Sequence, residues 1–124
     1  MERSLHHHNT VLVVEDEPLL RMLATEFLND AGFETLSAAD ADEAVAILER
    51  VPDIGVVFSD IDMPGSMNGL RMAMSIHRRW PTIGVLLASG RAAPSMHDLQ
   101  GGTAFLQKPY SEGEVIETLR RLAA

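Results

Sequence analysis

The sequence contains no cysteine. Disulfides, thiolate zinc sites and cysteine nucleophiles are therefore excluded; the absence suits a reducing cytoplasm without fixing the compartment. Positive charge is scarce: Lys and Arg number 10 against 18 Asp and Glu, a net charge of -8 with neutral His. Phosphate backbones demand a basic patch, so this balance argues against nucleic acid and favours cations or basic partner surfaces. No apolar run approaches the roughly 18 residues of a membrane span. Met1 to Asn9 lacks the apolar stretch of a signal peptide. No G-x-G-x-x-G or G-K-[ST] follows the first apolar run, so no loop cradles a nucleotide phosphate directly.

What is present is one domain's worth of chain. The 124 residues are 46% hydrophobic, enough for a single core. Residues 1–9 are read as a disordered leader or the remnant of a purification tag, His6, His7 and His8 included, because order is poorest at chain ends. From Thr10 onward two kinds of pattern alternate. Val11-Leu12-Val13-Val14, Ile54 to Phe58 and Gly84 to Ala88 are continuous and β-branched, the mark of strands buried on both faces. Phe33 to Ala38 and Thr103 to Gln107 are mixed, which suits edge strands. Between them lie helical patterns. Pro18 sits near a helix start, Leu19, Leu20, Leu23, Phe27 and Leu28 share one face, and Gly32 ends the helix. Asp40 with Glu43 and Ser111 with Glu114 have capping-box spacing. Leu70, Ala73, Met74 and His77 recur at helical intervals before Trp80-Pro81 stops the run. Residues 91–102, with Pro94 and Gly101-Gly102, allow only a short or irregular fourth helix. Trp80 is read as a helix-end packing residue, His77 as packing or solvated, and His97 as exposed.

Strand-helix alternation five times over means a parallel sheet with helices on both faces. With right-handed crossovers and the mixed strands at the edges, the expected fold is an α/β flavodoxin-like (βα)5 unit. Its strand order is 2-1-3-4-5. Such sheets bind ligands outside the carboxyl ends of the strands where the order reverses, between the first and third. The first strand ends in Glu15-Asp16-Glu17 and the third in Asp60-Ile61-Asp62. Carboxylates brought together there repel by about 4 kcal/mol per pair at ~4 Å and an effective dielectric near 20. A divalent cation or a raised pKa relieves this. Oxygen-only ligands point to magnesium, with manganese or calcium as substitutes. The fourth strand ends in Ser89 and the fifth leads to Lys108-Pro109. Carboxylates, a cation, a hydroxyl and a lysine suit an aspartate that attacks phosphorus, with Asp60 as the covalent nucleophile.

Taken in order, Val11-Leu12-Val13-Val14-Glu15-Asp16-Glu17, Asp60-Ile61-Asp62-Met63-Pro64, Asn68-Gly69, Ser89-Gly90, Phe105 and Lys108-Pro109 resemble the receiver domain of two-component response regulators. The likeness covers about Thr10 to Leu122, and residues 10–124 are read as one such domain. It implies phosphorylation of Asp60 by a histidine kinase or a histidine phosphotransfer protein. It implies magnesium on Asp16, Asp60 and the backbone carbonyl of Asp62, with Glu15 acting through water. Lys108 would contact the phosphate, and Ser89 and Phe105 would form a switch pair. The Lys108-Pro109 bond is often cis in this family. On this reading the chain is not an enzyme in the ordinary sense. It is a cytoplasmic phosphoacceptor that assists its own magnesium-dependent phosphorylation and dephosphorylation, touching neither nucleic acid nor membrane. Output would pass to a downstream protein through the face of the fourth helix, fifth strand and fifth helix.

Four features depart from the commonest family pattern. Gly65-Ser66-Met67 lengthens the loop after Met63-Pro64 by one residue. Asp62 adds a carboxylate near the phosphate, Ser89 replaces threonine, and the stretch from Ser89 to Lys108 is short. The style of Arg78-Arg79-Trp80-Pro81 is similar to alphaproteobacterial single-receiver regulators and hybrid-kinase receivers, so a relay receiver excised from a hybrid kinase is the alternative. A remoter rival is a phosphohydrolase of the haloacid dehalogenase type, whose Asp-x-Asp motif Asp60-Ile61-Asp62 resembles. Those enzymes carry further acids at a later strand end. Here only Glu112, Glu114 and Glu117 follow Lys108, on a helical stretch.

Overall fold

A computed structural model describes residues 10–61, 69–90 and 102–123. Among the described residues five strands are present: β1 (Thr10–Val14), β2 (Glu34–Ala38), β3 (Ile54–Asp60), β4 (Gly84–Ser89) and β5 (Thr103–Gln107). The described helices are α1 (Pro18–Asp30), α2 (Ala41–Arg50), α3 (Gly69–Arg79) and α4 (Glu112–Ala123). All strand pairs are parallel and the order is β2-β1-β3-β4-β5. This is the flavodoxin-like arrangement that the sequence pattern implies. The expected fourth helix, the leader and the Gly65-Ser66-Met67 loop lie outside the described residues.

Strand composition decides the position in the sheet. The three aliphatic runs are the central strands and are almost wholly buried, whereas β2 and β5, with their polar residues, are the edges. Alternation along each strand sends side chains to opposite faces. Leu12, Val14, Val57, Val85 and Leu87 pack with Ala44, Ile47 and Leu48 of α2 and Met72, Ala73 and Ile76 of α3. Val11, Val13, Val56, Phe58, Leu86 and Ala88 pack with Leu28 of α1 and Val115 and Leu119 of α4. Each fully buried aliphatic side chain of this kind contributes about 1.5–3 kcal/mol.

Local signals end the helices where expected. The Ser111 hydroxyl accepts from Glu114 N at 3.0 Å while the Glu114 carboxylate accepts from Ser111 N at 2.9 Å, a complete capping box. Asp40 accepts from Glu43 N at 2.8 Å, but Glu43 reaches back one residue further than the box requires, to Ala39 N at 2.7 Å. Pro18 occupies the first turn of α1, and Glu17 caps it by accepting from Leu19 N and Leu20 N. Gly32, at φ 102°, takes the left-handed conformation that lets Phe33 N return to Leu28 O at 3.0 Å.

Two helix faces differ from the periodicity reading. In α3 the buried residues are Gly69, Met72, Ala73 and Ile76, while Met74 is exposed and His77 half-buried. Met72 and Met74 offer two phases of one helical pattern, and packing against β4 selects the Met72–Ile76 phase. In α1 only Leu28 is buried; Leu19, Leu20 and Leu23 remain 57%, 49% and 47% exposed. The shared face exists, yet its amino-terminal half stands over a cavity instead of pressing on the sheet.

Candidate functional site

The carboxyl-end rim collects the residues singled out from sequence because parallel strands all end on one side. β1 runs directly into Glu15 and β3 ends on Asp60, and these strands are neighbours at the reversal of strand order. Backbone bonds fix the rim beyond the regular ladder. Glu15 N donates to Ala38 O at 3.0 Å, Ile61 N to Ala88 O at 2.9 Å, and Lys108 N to Ser89 O at 2.8 Å. The last bond carries Lys108 past the end of β5 toward β3. Its ammonium then donates to Asp60 Oδ2 at 2.8 Å across 48 residues of sequence. The Asp60 side chain is 13% exposed and that of Lys108 37%. The Lys108-Pro109 peptide is cis.

The electrostatics of the rim follow from burial first and from neighbouring charges second. Burial pushes the Glu15 carboxyl above its ordinary value; the Glu17 backbone N–H opposes this, while a hydrogen bond with the Asp16 carboxyl and the charges of Asp60 and Asp16 add to it. For Lys108, burial pulls the ammonium down, but the bond to Asp60 and the charge of Asp60 outweigh it, so the net shift is upward. Burial likewise raises Tyr110, with Lys108 opposing and Asp60 and Glu15 assisting. The Tyr110 ring meets Phe58 edge-on, 6.1 Å between centroids at 67°.

An upward shift at Glu15 means that the fold penalises its charged form. The penalty is absent below the ordinary pKa of 4.5 and complete above the folded-state value. Glu15→Gln is therefore expected to stabilise the chain at pH 7–8 in chelator, with the gain vanishing as pH falls below 4.5. Urea melts across that range check it; a gain independent of pH would contradict the assignment.

The remaining residues distribute as follows. Asp16 is exposed beside Glu15. Ser89 is 2% exposed at the end of β4. Phe105 is half-buried on the opposite face of the sheet from Phe58, packed against the α2–α3 cluster. Asp62, whose carbonyl the resemblance assigns to the metal, lies outside the described residues. Among the described residues no three His, Asp or Glu side chains gather into a metal cage. Magnesium needs no such cage, since it keeps several waters and takes one or two carboxylates. The donor chemistry here, carboxylates of Glu15, Asp16 and Asp60 at the adjoining ends of β1 and β3, fits a hard cation.

The structure also brings in residues that sequence reasoning did not single out. Tyr110 and Glu112 join Glu15, Asp60 and Lys108 around a cavity of about 450 Å³. Gly69, noted only as half of Asn68-Gly69, touches the backbone under Asp60: a Cβ built on it would lie 2.5 Å from Asp60 O and 2.8 Å from Ile61 Cα. Its own N–H donates to Ile61 O at 3.1 Å.

Residues 11–120 match the family model of the response regulator receiver domain. The chain belongs to that family. Among curated relatives, a putative NtrX-like response regulator of Rickettsia bellii is 30% identical over 115 residues, covering 90% of this chain and 24% of that protein. The receiver therefore spans about a quarter of the length of such relatives. Among solved structures, the chemotaxis protein CheY4 of Vibrio cholerae superimposes with a TM-score of 0.81 at 28% identity, covering 91% of this chain and 97% of that one. The response regulator TrrA of Thermotoga maritima, solved in complex with Mg2+ and BeF, gives a TM-score of 0.79 at 26% identity, covering 92% and 98%. Receivers are signalling domains of two-component pathways, not enzymes of the ordinary turnover kind. None of the described helices is long and apolar enough to cross a membrane.

Proposed function

We propose that this receiver is a phosphorylation switch whose acceptor is Asp60. The observation that carries the reading is the partly shielded Asp60 carboxylate held 2.8 Å from the Lys108 ammonium at the strand-order reversal. An Asp60 carboxylate oxygen attacks the phosphorus of a phosphohistidine on a histidine kinase or phosphotransfer protein. The new Oδ–P bond forms as the P–N bond breaks, and the imidazole leaves with the electron pair. Lys108 neutralises one of the equatorial phosphoryl oxygens, and the Ser89 hydroxyl donates to another. Glu15, Asp16, Asp60 and the Asp62 carbonyl would hold Mg2+, with Mn2+ or Ca2+ as substitutes. The cation supplies charge neutralisation where carboxylates and phosphoryl oxygens meet.

The acyl phosphate adds about -1.5 to -2 charges to the rim. That charge shifts a two-state equilibrium sensed by Ser89 and Phe105, and a downstream protein reads the change. The setting is the cytoplasm, without nucleic acid or membrane as a direct partner. The acids after Lys108 weigh against the phosphohydrolase reading. Glu112, Glu114 and Glu117 sit on α4; Glu114 is engaged in the capping box, and of the three Glu112 alone lines the cavity beside Asp60.

Incubation with acetyl phosphate and MgCl2, followed by intact mass, tests the proposal. One phosphoryl group is expected per chain, and none when a chelator replaces the magnesium. A chain that stays unmodified under both conditions would refute it.

A further inference from the structure

The cavity beside Asp60 is walled largely by hydrocarbon. Its volume of about 450 Å³ is in the range of small-molecule sites. Leu20, Leu23, Ala24 and Phe27 of α1 line one side, and Phe58 and Tyr110 line another. The strand residues there are buried, while Leu20 and Leu23 are about half exposed, so the chain leaves this hydrocarbon surface uncovered. Among the described residues four charged side chains also line it: Glu15, Asp60, Glu112 and Lys108. The Lys108 ammonium is engaged with Asp60 at 2.8 Å, which leaves the acids in excess.

We infer that this cavity binds a small apolar cation. Its hydrocarbon body lies among Leu23, Ala24, Phe27 and Tyr110, and its ammonium faces Glu112 and Glu15. The apolar walls supply affinity, and the acidic excess selects the sign of the head group. An anion of the same shape would bring like charges together at the lip and bind more weakly. A cation without a hydrocarbon body would gain nothing from the walls.

The test titrates the 15N-labelled full chain, in EDTA at pH 7, with 4-phenylbutylamine, its anionic match 4-phenylbutyrate, and methylamine. Saturable shifts are expected for the amine alone, centred on the amides of Val13, Leu23, Ala24 and Tyr110. Each of the other two probes should bind at least about tenfold more weakly. Ala24→Phe fills the cavity and should abolish binding with the melting temperature retained. Glu112→Gln should weaken it by about two- to fivefold, as for an exposed ion pair. Absence of saturable shifts, equal binding of the carboxylate or methylamine, or binding that survives Ala24→Phe would each overturn the inference.

Because Asp60 lines the same cavity, saturating amine should also slow labelling by acetyl phosphate. That consequence rests on the phosphoacceptor reading, whereas the NMR titration does not. A chain that fails to be labelled without amine would count against the phosphoacceptor reading and leave the binding result standing.

Discussion

Gly69→Ala is expected to destabilise the receiver by about 1–3 kcal/mol, the usual cost of an overpacked contact that cannot relax, and to slow labelling of Asp60. The atoms that a Cβ would meet are the Asp60 carbonyl oxygen at 2.5 Å and Ile61 Cα at 2.8 Å. Both belong to the backbone, so no side chain can swing away. The strand end must shift, or α3 must, since Gly69 is the first residue of that helix. Two further bonds tie the same segment: Gly69 N donates to Ile61 O at 3.1 Å, and Ile61 N to Ala88 O at 2.9 Å. A shift therefore disturbs the floor on which the Asp60 carboxylate stands. Alanine gains at most about 1 kcal/mol of helix propensity over glycine, less than the steric cost, so the steric effect decides the sign. Gly113→Ala is the control. Among the described residues its Cβ would find only Ser111 Oγ within 4 Å, at 3.9 Å, and α4 should gain up to about 1 kcal/mol. Urea melts and labelling rates of the two variants should move in opposite directions in stability, with only Gly69→Ala impaired in labelling.

Lys108→Ala is expected to leave the fold standing and to slow labelling by acetyl phosphate about 10²-fold, the lower end for removing one donor that faces developing oxyanion charge. Stability and chemistry separate because they draw on the pair differently. As a salt bridge, Lys108 with Asp60 is partly open to water, with side chains 37% and 13% exposed. Screening limits its contribution to about 1 kcal/mol or less. On the proposed transfer the ammonium would face one of the phosphoryl oxygens in the transition state, where its charge is harder to replace. Lys108→Arg keeps the charge on a planar fork of different reach, so partial recovery is expected. A Lys108→Ala chain that labels at the unaltered rate would show that the ammonium pairs with Asp60 without assisting it.

The fold was legible because its signals are local or periodic. Val11 to Val14 and Ile54 to Phe58 are short, β-branched apolar runs that read as buried strands, and the polar residues of Glu34 to Ala38 place that strand at an edge. The Ser111–Glu114 box could be read because both partners lie within four residues. The pairing of Asp60 with Lys108 was legible for another reason. Parallel topology puts every strand's end on one rim, so two residues 48 apart in sequence meet without any local signal linking them.

Other features depend on distances that a pattern does not encode. Leu19, Leu20 and Leu23 share a helical face with Leu28, but periodicity does not say how closely that face approaches the sheet, and here its first half stands clear. Met72 and Met74 satisfy competing phases of one helix, and only packing on β4 chooses between them. Gly69 matters through contact with backbone nine residues earlier, and Tyr110 through an edge-on contact with Phe58. A glycine or tyrosine alone announces neither.

The most direct test of the account locates the modification. After acetyl phosphate and magnesium, borohydride reduces an acyl phosphate to an alcohol, so an aspartyl phosphate becomes homoserine. Peptide mapping should find homoserine at position 60 and nowhere else, and none in the Asp60→Asn chain. A phosphoryl group recovered on Ser59, Ser89 or a histidine, or homoserine at Asp16, would contradict it.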